Sequence, residues 1–135
     1  MELKMGLIAD YANITQDGKL NVMGIFSRIL AQAFPVTHPV MHLVLVFNAG
    51  TAERGREKEV QIRLLDDDGQ SVIDINGKFT VPDQPGATVD LQQIFAIQLL
   101  QFKKPGHYAF HVLINGDTKA ILPLAVEQTP LGARG

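Results

Sequence analysis

Four dipeptides constrain this chain more than any other feature: Asp17-Gly18, Asp68-Gly69, Asn76-Gly77 and Asn115-Gly116. Asp or Asn followed by glycine accepts the positive φ that the centre of a tight hairpin turn demands, so these pairs predict a meander of short strands. Pro85-Gly86 and Pro105-Gly106 predict two further turns of type II. There proline fixes φ at the second position and glycine supplies a positive φ at the third.

Between the turns the hydrophobic period is two. Tyr108, Phe110, Val112 and Ile114 alternate with Ala109, His111 and Leu113, which predicts a strand with one apolar face. Beyond Asn115-Gly116, Ala120, Leu122, Leu124 and Val126 keep the same period, so the two segments read as a hairpin. Pro123 cannot donate to a ladder and marks an edge or a bulge there. Val60, Ile62 and Leu64, followed by Val72, Ile73 and Ile75 after Asp68-Gly69, predict a second hairpin. Asn76-Gly77 then either turns the chain again or kinks one strand through Phe79 and Val81.

Leu43 to Phe47 and Ile94 to Leu100 are apolar at nearly every position, which predicts central strands covered on both faces. The second face then needs a cover, either a short helix or loop or another subunit. From Gly24 to Pro35 a helical stripe of Ile25, Phe26, Ile29 and Leu30 fits as well as a strand, and Pro35 and Pro39 are expected to end whatever runs there. Asn48 to Arg56 and Pro82 to Asp90 read as exposed loops. The sum is an all-β, two-sheet β-sandwich of about eight or nine mostly antiparallel strands, immunoglobulin-like or Greek-key. Residues 1–127 form the single domain, and 128–135 a flexible C-terminal tail.

Composition narrows the function. At 135 residues with 46% hydrophobic and 19% charged side chains, the chain is one globular domain rather than a disordered segment or a coiled coil. With no cysteine it has no disulfide, thiol nucleophile or sulfur-bound metal, which fits a reducing cytoplasm. A net charge of −2 is far from the basic balance that a phosphate backbone selects. With seven Phe, two Tyr and no Trp, mostly in apolar runs, aromatic side chains for stacking bases are also scarce, so no nucleic acid is expected as a partner. Neither a secretory leader nor an apolar run near the roughly 20 residues of a membrane helix is visible.

Candidate chemistry is sparse. His38 and His42, like His107 and His111, lie four residues apart, which on a strand separates them by about 13 Å and forbids a shared metal. Only a meeting across strands, His42 with His111, would assemble a site. Asp66-Asp67-Asp68-Gly69 offers clustered oxygens, but the twelfth position counted from Asp66 is Gly77 and not the glutamate of a calcium loop, so an acidic turn is the better reading. Ser27 and Ser71 are the only serines and neither lies in Gly-x-Ser-x-Gly; no phosphate-loop glycine pattern occurs. Arg54-Gly55-Arg56-Glu57-Lys58 is the densest basic stretch, cancelled by Glu53, Glu57 and Glu59. No catalytic, cofactor-binding or metal residue is therefore named, and no cofactor is expected.

The pattern Ala9-Asp10-Tyr11-Ala12-Asn13, Gly18-Lys19-Leu20-Asn21, Gly24-Ile25-Phe26 and Phe34-Pro35, with Pro105-Gly106-His107-Tyr108-Ala109-Phe110 and Pro123-Leu124, resembles a bacterial family that is an uncharacterised domain of unknown function. The resemblance covers most of the chain. It implies a compact β-sandwich and no reaction. The functional expectation is a non-enzymatic protein that forms oligomers or binds a protein partner through an apolar sheet face. A small-ligand or carbohydrate-binding module built on Tyr108, His107 and the two loops is the alternative. An enzyme with a His and Asp site assembled across strands is a third.

Overall fold

A computed structural model describes residues 1–130. Nine strands follow in order: β1 (Glu2–Ile14), β2 (Leu20–Ile25), β3 (Arg28–Ala31), β4 (Val36–Gly50), β5 (Glu57–Leu65), β6 (Ser71–Thr80), β7 (Thr88–Phe102), β8 (Gly106–Ile114) and β9 (Asp117–Gln128). Among the described residues a single 3-10 turn, Thr51–Glu53, follows β4. The strands form two packed sheets, ordered β2-β1-β4-β7 and β3-β9-β8-β5-β6. Every pairing is antiparallel except β3 with β9. The two-sheet, mostly antiparallel sandwich expected from turns and period is thus the fold.

Three of the four Asx-Gly pairs turn the chain as predicted. Gly18, Gly69 and Gly116 all have positive φ, and Asn115 joins Gly116 in that region at the β8–β9 hairpin. Asn76-Gly77 does not turn. It lies inside β6, where Asn76 faces Gln61 and Gly77 faces Val60 in an unbroken ladder. Gly106 differs from expectation too. It opens β8 without a positive φ, and what excludes a side chain there is Asp67, whose Oδ2 lies 2.8 Å from where a Cβ would stand.

The core lies between the sheets. From the four-stranded sheet it takes Ile8, Met41, Leu43, Leu45, Phe47, Leu91 and Ile97. From the five-stranded sheet come Val60, Ile62, Leu64, Leu124, Val126 and the predicted inward face Tyr108, Phe110, Val112 and Ile114. Pro123 does not make β9 an edge strand, because β3 pairs beyond it; the proline is tolerated where that partner is locally missing. Ala125 N–H donates to the Ser27 carbonyl on the β3 side, and two residues earlier the missing N–H of Pro123 faces that same side, where β3 has not yet begun to pair.

Four expectations need correction. Leu43 to Phe47 is central, but β7, which carries Ile94 to Leu100, is the edge strand of its sheet. Its apolar content comes from packing inward and against β4, not from neighbours on both sides. Pro39 does not end a segment; it sits within β4, where no β1 partner is paired, and the ladder to β7 omits the Pro39–Leu99 step. Leu99 takes a left-handed φ of 54° at that step. The strands also run further than the turns suggested: Asn48 to Gly50 belong to β4 and Thr88 to Asp90 to β7, so the two loops are shorter than predicted. Finally, Gln128 closes β9 opposite Ala31, and Thr129 N–H donates to the Ala31 carbonyl, so the domain extends past residue 127. The remainder of the expected tail, 131–135, lies outside the described residues.

Candidate interaction surface

In a strand, alternate residues face opposite sides, so the residues that do not point into the core can be read from the register. In the four-stranded sheet Leu7 lies beside Val44, Met5 beside Val46, and Ile94 beside Val44 on its other flank. Ala9 faces both His42 and Ile25, while Tyr11 faces Met23. These side chains share the outer face of the sheet, turned away from β8 and β5. Val44 and Val46 are buried there by their lateral neighbours, yet neither belongs to the core cluster. Around them the face is open: Met23 and Ile25 are each 64% exposed and Tyr11 49%.

The other sheet's outer face is of opposite character. Arg63 Nε lies 3.6 Å from Asp74, Lys78 3.7 Å from Glu57, and Gln61 donates to Asp74. That face is an ordinary solvated surface, whereas the centre of the β2-β1-β4-β7 face carries no charged residue at the positions just named. Charge appears at its rim, where Lys4 and Asn48 both donate to Asp90 at 2.8 Å. The Lys4 hydrogen bond, with help from Asn48, holds the Asp90 carboxyl below its usual range. His42 closes the other side, its ring 5.2 Å from Tyr11 in an edge contact and its Nδ1 3.1 Å from the Asp10 carbonyl.

The sequence-level sites come apart. His42 sits on β4 and His111 on β8, in different sheets, and His38 packs on Phe26. Among the described residues no group of three His, Asp or Glu is placed to hold a metal ion. The three aspartates of the acidic turn have separate tasks. Asp66 accepts the Asp68 and Gln70 N–H groups, Asp67 accepts His107 N–H, and Asp68 pairs with Lys104 at 3.3 Å. That Asp68 contact raises the Lys104 ammonium above its ordinary value.

Tyr108 is only 4% exposed, lies edge-on to Phe102, and donates its hydroxyl to the Lys104 carbonyl at 2.7 Å. Burial pushes its phenol up. With so little of it exposed, its ring offers no broad platform for a sugar. The register from Gly50–Thr88 to Val36–Phe102 also puts the loops after β4 and before β7 at one end of the sandwich and Tyr108 and His107 at the other. The alternative ligand site is therefore not brought together. Tyr108 does line a cleft of about 480 Å³ between the start of β6 and the end of β7, together with Ser71, Ile73, Leu99 and Lys104.

At the loop end, Glu53 replaces the exposed loop with a tied one. Its carboxylate accepts from the Met1 ammonium at 2.8 Å, the Gly50 N–H at 3.1 Å and Lys58 at 3.3 Å. Burial works against the charge, but these three donors outweigh it and bring the carboxyl down to about 2.

The outer-face residues of β1 and β2 carry a signal in the sequence that the turn dipeptides do not. Met5, Leu7, Ala9 and Tyr11, then Met23 and Ile25, alternate at period two. The chain belongs to a family of unknown function (DUF6941), whose sequence pattern matches residues 4–127. No curated protein sequence matches it.

Proposed function

We propose that this protein is a non-enzymatic interaction module that works by covering the outer face of its β2-β1-β4-β7 sheet with another protein surface. The observation that carries the reading is the contrast between the two outer faces: ion pairs on one, and Met5, Tyr11, Met23, Ile25 and Val40 exposed on the other. An isolated exposed apolar side chain is unremarkable, but a contiguous apolar sheet face is the signature of a surface that is covered in use. Four strands about 4.8 Å apart and about 11 residues long present roughly 700 Å², close to the roughly 800 Å² per partner of a standard interface. The absence of cysteine fits action in the cytoplasm.

Native mass spectrometry of gently purified protein tests this. The expected spectrum shows a complex heavier than the 14.8 kDa chain. Met23→Lys combined with Ile25→Lys should lower that mass by the protein that covers this face, with little change in thermal stability, because both side chains are exposed. Wild type running only at the single-chain mass would contradict the proposal.

A further inference from the structure

A sheet edge displays unpaired N–H and C=O groups, and monomeric proteins protect such edges with short strands, charges, proline or a bulge. Three of the four edges here are protected. β3 is four residues long, β2 is six with Gly24 at a left-handed φ of 71°, and β6 carries Asp74 and Lys78. β7 is the exception. It runs 15 residues, and between Leu91 and Phe102 it contains no charged residue, no proline and no glycine. Among the described residues only β4 pairs with it. The left-handed Leu99 interrupts it near one end, leaving Thr88 to Gln98 as a regular, open edge.

We infer that the β7 edges of two copies of this chain pair antiparallel across a two-fold axis perpendicular to the sheet. The second copy is the occupant because the edge suits itself. Asp90 is the one charged residue in the stretch and is paired with Lys4 of its own copy, so nothing in one β7 repels another, and glutamines at 92, 93 and 98 can meet glutamine or apolar side chains without leaving an ion unpaired. The stretch of 11 residues would form about ten hydrogen bonds, the number found in a typical stable interface. The axis keeps Ile94 and Ala96 of both copies on the same outer face. The result is one eight-stranded sheet, β2-β1-β4-β7 continued by its mirror order, whose apolar face is twice as wide. This inference does not rest on the proposed covering of that face.

Hydrogen exchange read residue by residue over Thr88 to Gln98 tests it, at about 1 µM and about 100 µM, together with sedimentation at both concentrations. The expected result is a dimer at the higher concentration, in which alternate β7 amides exchange at least about tenfold more slowly than at the lower one. Amides facing β4 should be slow in both. Gln92→Lys with Gln98→Lys adds like charges along the edge and should weaken the dimer about tenfold or more, while Met23→Lys with Ile25→Lys, at the far side of the sheet, should leave it intact. Alternate β7 amides that exchange equally fast at both concentrations would overturn the inference. So would a dimer abolished by the Met23 and Ile25 changes but indifferent to the lysines on β7, a result that would leave the outer-face reading standing.

Discussion

Replacing Phe110 with alanine removes a fully buried ring from the middle of β8, where it faces Leu64 of β5 on one side and Leu122 of β9 on the other. The substitution strips roughly 100 Å² of apolar surface from the core, which at about 25 cal/mol per Å² is about 2.5 kcal/mol. A void of up to about 80 Å³ would add about 2 kcal/mol if the neighbours stayed in place, and less if they collapsed into it. Phe110 lies between paired strands on both sides, so little collapse is available, and we expect a loss of 3 to 5 kcal/mol, as is usual for buried Phe→Ala. For a chain of this size each kcal/mol is worth about 3 to 5 °C, so the melting temperature should fall by roughly 10 to 20 °C. Urea unfolding of wild type and variant, compared at constant m, measures the loss. His111→Ala, one residue on and facing outward, should change stability by less than about 1 kcal/mol. A loss under about 1 kcal/mol for Phe110→Ala, or a larger one for His111→Ala, would mean that β8 presents its other face to the core and that the register argument for the outer surface is inverted.

Further predictions concern single contacts. Because Glu53 titrates at about 2 when folded against an ordinary 4.5, its contribution is fully present above about pH 4.5 and is lost as the pH falls toward 2. With the side chain one-fifth exposed, screening reduces that contribution to about 1–2 kcal/mol, so Glu53→Gln should lower stability at pH 7 and converge with wild type near pH 2; parallel curves would refute it. Gly106→Ala should cost about 1–2 kcal/mol by displacing the Asp67 carboxylate from the His107 N–H, whereas Gly77→Ala, whose Cβ would meet only Val60 at 3.5 Å, should be neutral or stabilising. Chemical denaturation ranks the two, and the reverse order would show that Asn76-Gly77 is a turn after all.

The fold was largely legible because hairpins are local. Turn residues and period-two alternation lie within a few residues of one another, so the β5–β6 and β8–β9 hairpins could be read directly. Non-local features could not. Whether Ile94 to Leu100 is central or marginal depends on which strand lies beyond it, and no residue in β7 records that its outer neighbour is missing. Gly106 and Gly77 look alike as letters, yet one is required by an aspartate 39 positions away and the other by no left-handed backbone. An apolar sheet face was expected from two strands apolar on both sides, but its location was not legible. It required the pairing of Tyr11 with Met23 and of Ala9 with Ile25, which only the register supplies.

The most direct test of the central claim is a photo-crosslinking amino acid placed at Tyr11 in the cells that make the protein, with the same group at Lys78 as control. Both positions are exposed, one on the apolar outer face and one on the charged face. The account predicts a discrete protein adduct from position 11 and none from position 78. Equal labelling from both, or none from Tyr11, would contradict the claim that the β2-β1-β4-β7 face is covered by another protein.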